Sequence, residues 1–277
     1  MPIIAVMWGL GLLGAIALSL NWNGNVSSSL AHNALELAKT NAVVEAVISR
    51  AVIALYELQP ERRWKLDGTP RLFEFDGTKV EVSIQDELGK IDLNQAEESA
   101  LVNLLRSAGL DAEASTGLAD KIIDWRTATS LKQLNGAKEA EYRASGSAFQ
   151  PRNGPFQSVD ELLLVMDMTP DIFRRIEPAL TVYSARQFID PQVAPREALL
   201  SLPGMTTDTI AATLAARQAQ AVSVERLAGN NGALLGGRAF TIRTEFQANN
   251  GSIRHEAVVR ITGNSDQPYW LLSWKYK

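Results

Sequence analysis

The chain has 277 residues, 46% of them hydrophobic, with 27 basic and 31 acidic side chains and a formal net charge of −4. That length holds one large or two modest domains with a sizeable core, and the near-balanced charge argues against a clustered phosphate-binding surface. With no cysteine, thiol nucleophiles, thiolate zinc sites and disulfides are excluded, and the two histidines, His32 and His255, leave little from which to build a catalytic triad or a histidine metal site.

Residues 3–20, IIAVMWGLGLLGAIALSL, are 18 in a row without a charge, and only Ser19 is polar. At about 1.5 Å per residue such a helix just crosses the hydrocarbon core of a bilayer. A cleaved signal peptide and a buried core helix are the competing readings. The run lacks a Lys/Arg-rich start and a clear small-x-small cleavage site, which favours a retained span. Residues 1–23 are therefore expected to be a transmembrane helix, with Ile3, Leu10, Leu13, Ile16 and Leu20 as membrane anchors. Trp22 suits the interface, and Gly24 is expected to permit a bend or a melted turn. From Val26 to Leu58 apolar residues recur at helical spacing (Leu30, Ala34, Leu37, Ala38, Val44, Val47, Ala51, Leu55), so the helix continues as an amphipathic one.

A β region follows. Arg71–Phe75 and Thr78–Ile84 alternate with period two across Asp76-Gly77, a strong hairpin signal. Next comes QDELGKIDLN, residues 85–94, where Leu88-Gly89 reads as a turn and Lys90–Leu93 resumes alternation. That alternation places Asp92 opposite Ile91 and Leu93, exposed to solvent. From Glu97 to about Pro178 the pattern is helical. It includes Leu118–Trp125, a weakly periodic polar segment at 126–155, a capping-box pattern at Ser158–Glu161 ahead of an apolar helix, and a Thr169-Pro170 helix start. Leu180–Tyr183 reads as a strand and Pro195–Arg217 as two helices about a turn. A Gly-rich loop near 229–237 precedes three strands, at 240–247, 256–262 and 269–275, with Asn249-Asn250-Gly251 turning between the first two. Strands interrupted by a helical block describe an α+β fold.

Four groups invite chemistry. Leu202-Pro203-Gly204-Met205 looks like part of a helix-hairpin-helix, a phosphate-binding element; its second glycine is replaced by Thr206-Thr207 and no lysine cluster flanks it, so a packing unit is the plainer reading. The acids Asp124, Glu139, Glu141 and Asp160 could line a calcium loop, but Lys132 and Lys138 intrude, and a solvated loop is the alternative. Asp86, Glu87 and Asp92 could form an acid–base pair, yet no histidine accompanies them. As framework, Asp86 would tie down the turn and Asn94 a helix start.

Taken together, and in this order, five stretches resemble protein K of the general (type II) secretion pathway, a minor pseudopilin: DELGKIDLN (86–94), LADKIIDW (118–125), GAKEAEY (136–142), PRNGPFQSVDELLLV (151–165) and VAPREALLSLPGM (193–205). The motif positions are Asp86, Glu87, Gly89, Asn94, Trp125, Pro203 and Gly204. The resemblance implies a pseudopilin fold, a long N-terminal helix packed on an antiparallel sheet, with an inserted all-helical domain. The boundaries it suggests are a transmembrane segment at 1–23, the pseudopilin helix and first strands at 24–94, the helical insert at 95–179, and the helical hairpin with C-terminal strands at 180–277.

It further implies a non-enzymatic subunit at the tip of the secretion pseudopilus, initiating or capping it. The subunit would be held in the inner membrane by one span with its soluble domain in the periplasm, and would be partnered by minor pseudopilins related to proteins I and J. Internal pseudopilins carry a glutamate near the start of the apolar run. Here Ala5 and Val6 stand there and the first acid is Glu36, as suits a tip position. Relatives bind calcium after the Asp-Trp pair; in this chain Asp124, Glu139 and Glu141 are the remaining candidate ligands, and no other cofactor is implied. The rival reading, a membrane-tethered DNA-binding module, would rest on the Leu202–Met205 hairpin.

Overall fold

A computed structural model describes residues 2–57, 62, 64–75, 77–219, 235–248 and 251–276, without the side chains of residues 5, 15–28, 218–219 and 248. The expectations for the side chains of Ile16, Leu20 and Trp22, and those for Asp76, Asn249, Asn250 and residues 229–234, lie outside the described residues. The chain divides into two compact units, Met1–Ser49 and Arg50–Lys277.

The first unit is helical. Helix α1, Pro2–Leu55, starts here and continues into the second unit. It runs unbroken through Asn21–Asn25, so Gly24 melts no turn. One glycine costs a helix only about 1 kcal/mol, too little to break a run of 54 residues. Ile3, Leu10 and Leu13 are exposed. Among the described residues no helix is long and apolar enough to cross a membrane.

The second unit holds the end of α1, where Ala51, Val52, Ala54 and Leu55 are buried, followed by a sheet and a helical block. Strands β1 (Arg71–Phe75) and β2 (Thr78–Asp86) form the predicted hairpin, with Gly77 at φ 73°. After the helical block come β5 (Ala239–Ala248), β6 (Gly251–Ile261) and β7 (Tyr269–Tyr276), the predicted meander. The five strands form one antiparallel sheet in the order β1-β2-β5-β6-β7. Period-two burial fixes the register. Val80, Val82 and Ile84 are buried while Lys79 and Glu81 are exposed, and Ile84 pairs with Ile242, which pairs with Ala257.

The helical block opens and closes on a two-stranded parallel ribbon, β3 (Ile91–Asp92) beside β4 (Leu180–Thr181). Between them lie α2 (Glu98–Ser107), α3 (Ala112–Arg126), α4 (Glu139–Ala144), a 3-10 turn at Val159–Leu164 and α5 (Pro170–Ile176). Asp111 caps α3 by accepting from Ala114 N–H, and Thr169 caps α5 by accepting from Ile172 N–H. Leu101, Leu104, Leu118, Ile122 and Trp125 centre a core that also takes in Ala198, Leu199 and Ile210, from α6 (Arg196–Leu200) and α7 (Thr207–Ala219).

Two local expectations fail. Ser158 makes no capping bond and no α-helix follows it; Glu161 instead accepts from Gln157 N–H, and the segment winds as a 3-10 turn. Asp92 is 2% exposed rather than solvated, because β3 is only two residues long and is covered on both faces.

Candidate functional site

Two polar clusters in the second unit gather the acids singled out by sequence, except Asp160, which pairs with Lys275. The first is the 85–94 stretch, where β2 runs out of the sheet. Asp86 Oδ1 accepts from Leu88 N–H at 2.9 Å, capping a single 3-10 turn at Glu87–Gly89, and its other oxygen pairs with Arg238. Burial pushes the Asp86 carboxyl up, opposed by the Arg238 guanidinium. Glu87, 1% exposed, pairs with Lys90 at 2.7 Å and accepts from the Thr241 hydroxyl at 2.5 Å. Gln85 Nε2 donates to Val193 O at 2.6 Å. Gly89 lies against the same segment: a β-carbon there would sit 2.6 Å from Val193 C and 2.7 Å from Ala194 N, so only glycine fits.

The stretch continues in the same manner. Asp92 accepts from Asn94 N–H, Ala185 N–H and the Ser184 hydroxyl, at 2.8, 2.8 and 3.1 Å. Asn94 does not start a helix. Its side chain clasps Phe156, accepting from Phe156 N–H at 2.7 Å and donating to Phe156 O at 3.1 Å. Each acid is thus engaged with a cation or with backbone, and no pair of carboxylates is free to trade a proton.

The second cluster surrounds the end of α3. Trp125 stacks against Phe156 at 6.2 Å and donates its indole N–H to Glu161 at 2.8 Å. Burial works to raise the Glu161 carboxyl, but bonds from Arg152, Gln157 and Trp125 outweigh it and hold it below the usual carboxylate range. One turn apart on α3, Asp120 accepts from Asn135 N–H at 2.9 Å, and both oxygens of Asp124 accept from Gln133 N–H at 3.1 Å. The loop wraps so tightly that a β-carbon on Gly136 would collide with the Asp124 carboxylate.

Lys138 points back into this wrap. Its Nζ donates to Asp124 O at 2.5 Å, Thr127 O at 2.6 Å and Asn153 Oδ1 at 3.1 Å. Burial lowers its pKa, opposed by the Asp124 charge. Glu141 pairs with Lys132 at 2.7 Å and accepts from Lys138 N–H at 3.0 Å, bonds that hold its carboxyl down at about 2. Glu139 pairs with Arg143 at the surface.

This donor set does not fit a calcium ion. Calcium takes six to eight oxygens at about 2.3–2.6 Å, and here the convergent oxygens already receive an ammonium while the three acids turn to other partners. Among the described residues no three His, Asp or Glu side chains gather as a metal-holding group. Sequence patterning missed Lys138, since only its charge was noted; its three acceptors lie 11 to 15 positions away in the chain.

A cleft of about 510 Å³ is bordered by Asp92, Asn94, Arg126, Thr127, Pro155 and Val182. Arg126 donates to Leu93 O and to Ala96 O, and Asp92 is engaged as above, so the cleft offers no free nucleophile. His32 is exposed on α1, and His255, buried in β6, has no hydrogen-bond partner for either ring nitrogen among the described residues. At the α6–α7 turn, exposed Gly204 adopts φ 74° next to exposed Pro203. Arg217 of that hairpin points inward and donates to Ala194 O at 2.8 Å and to Pro191 O, which favours packing over phosphate contact.

A long N-terminal helix, a five-stranded antiparallel sheet and a helical segment looped out between β3 and β4 together define an α+β pseudopilin fold. Residues 82–185 match the family model of type II secretion system protein K, and the resemblance read from the motifs is thereby shown for that segment. In structure the chain is similar to GspK of enterotoxigenic Escherichia coli, solved in a GspK-GspI-GspJ complex. The TM-score is 0.63 at 17% identity, over 89% of this chain and 99% of that one. No curated protein matches the chain in sequence.

Proposed function

We propose that this chain is a non-enzymatic minor pseudopilin that initiates or caps the tip of a type II secretion pseudopilus. It is anchored in the inner membrane by residues 1–23, with its soluble part in the periplasm. The observation that carries the reading is the family match across 82–185, which spans the 86–94 motif and the helical segment, set within a fold similar to a protein K solved with GspI and GspJ. The polar clusters support a framework role, because their charged groups are consumed by internal contacts. The apolar run at 3–20 supports the anchor. Partners related to proteins I and J would dock on the soluble part.

The test is co-expression of the full chain with the minor pseudopilins of its own system, followed by affinity capture and a secretion assay in a deletion strain. A stable complex and lost secretion are expected. Absence of any complex together with unimpaired secretion overturns the reading.

A further inference from the structure

The strongest unassigned feature is the oxygen cluster around Lys138. Three oxygens from two segments converge on one point: the Asp124 carbonyl within the last turn of α3, the Thr127 carbonyl just past it, and the Asn153 amide oxygen. Asn153 sits at φ 53°, a left-handed conformation that asparagine tolerates better than most residues. Gly136, which only glycine can occupy beneath the Asp124 carboxylate, closes the wrap. The three acceptors match the three N–H donors of an ammonium, whereas a neutral amine has only two.

We propose that the Lys138 ammonium is the structural cation of this segment, built into the chain, so that the 124–153 region is held without a divalent ion. Nζ lies 2.5 and 2.6 Å from two carbonyl oxygens, close to the distances calcium keeps from its ligands, so a metal and the ammonium exclude one another at this point. The nearby carboxylates give no second site: Glu141 is committed to Lys132, Asp124 to Gln133 N–H and Glu139 to Arg143. The inference stands on these contacts alone and does not depend on the proposed secretion role.

Thermal melts of the full chain in millimolar calcium chloride and in excess EDTA test it. The unsubstituted chain is expected to melt identically in both. Lys138→Met keeps the apolar stem, removes the charge and is expected to melt several degrees lower in both. Lys138→Glu leaves only acceptors around the point. It is expected to melt lower still in EDTA and to regain part of the loss in calcium, with the unsubstituted chain again indifferent. A calcium-dependent rise in the unsubstituted chain, a Lys138→Met melt equal to it, or a Lys138→Glu loss that calcium leaves unchanged overturns the proposal. Should neither variant fold, calcium titration of the unsubstituted chain by calorimetry still decides: no binding heat is expected, and a saturable one overturns it.

Discussion

The stretches 85–94 and 120–141 look alike as sequence: each mixes acids, glycine and lysine within a short span. Folded, Asp86 and Glu87 of the first and Asp120, Asp124 and Lys138 of the second solve the burial of charge in opposite ways. In the first, Glu87 pairs with Lys90 and Asp86 with Arg238, while Asp92 accepts from backbone N–H groups and the Ser184 hydroxyl. In the second, the buried charges at the end of α3 are satisfied chiefly by backbone: Asp120 and Asp124 take amide N–H groups and Lys138 takes carbonyls, while side-chain ion pairs such as Glu141 with Lys132 stay nearer the surface. A buried ion pair that loses one member leaves an uncompensated charge, whereas an exposed pair contributes little. An acidic motif's role is therefore set by what satisfies it rather than by its composition.

The sharpest way to break this contrast is Glu87→Ala. It strands the Lys90 ammonium, which is 5% exposed, and is expected to cost about 3–5 kcal/mol in urea denaturation of the full chain. A variant as stable as the parent would erase the distinction between the stretches. Gly89→Ala forces a β-carbon into the Val193–Ala194 backbone, with an expected loss of about 2–3 kcal/mol by the same measurement. Asn94→Ala gives up both bonds to Phe156 and should lose about 1–2 kcal/mol, with faster amide exchange at Phe156 as its local signature.

Acidification probes a third region, the sheet. Burial lowers the His255 pKa below its ordinary 6.5, so the unfolded chain binds this proton first as pH falls. The stability contribution is complete above pH 6.5 and declines as pH drops from there toward the folded value. His255→Phe should flatten that part of the stability–pH curve, and an unchanged slope would assign it elsewhere. The smallest effect is expected for Glu139→Ala: its pair with Arg143 is exposed on both sides, and the denaturation midpoint should not move measurably.

Much of the frame was legible because it is written locally. The β1–β2 hairpin, the three C-terminal strands, the long first helix and the Thr169 helix start each follow from periodicity or from a residue beside the element it shapes. What escaped depends on distance. Asp92 escapes because alternation assumes one wet face, and a two-residue strand buried on both faces has none. Asn94 finds its partner 62 positions on, and Gln85 finds Val193 108 positions on. The polar 126–155 segment hid α4 because a six-residue helix held by Glu141 and Tyr142 shows too few turns to betray a period. The wrap around Lys138 was invisible for the same reason, although the lysine itself was noticed.

The ribbon of β3 and β4 has a consequence for how such a chain changes over generations. Ile91 lies beside Leu180 and Asp92 beside Thr181, so the strand that leads into the helical block and the strand that leads out are immediate neighbours, about 4.8 Å apart. Whatever grows, shrinks or is exchanged between them starts and finishes at one spot. A change of length within the helical block that keeps these neighbours in place leaves the entry to and exit from the large sheet where they are, so the block can take on new recognition surfaces over the same frame.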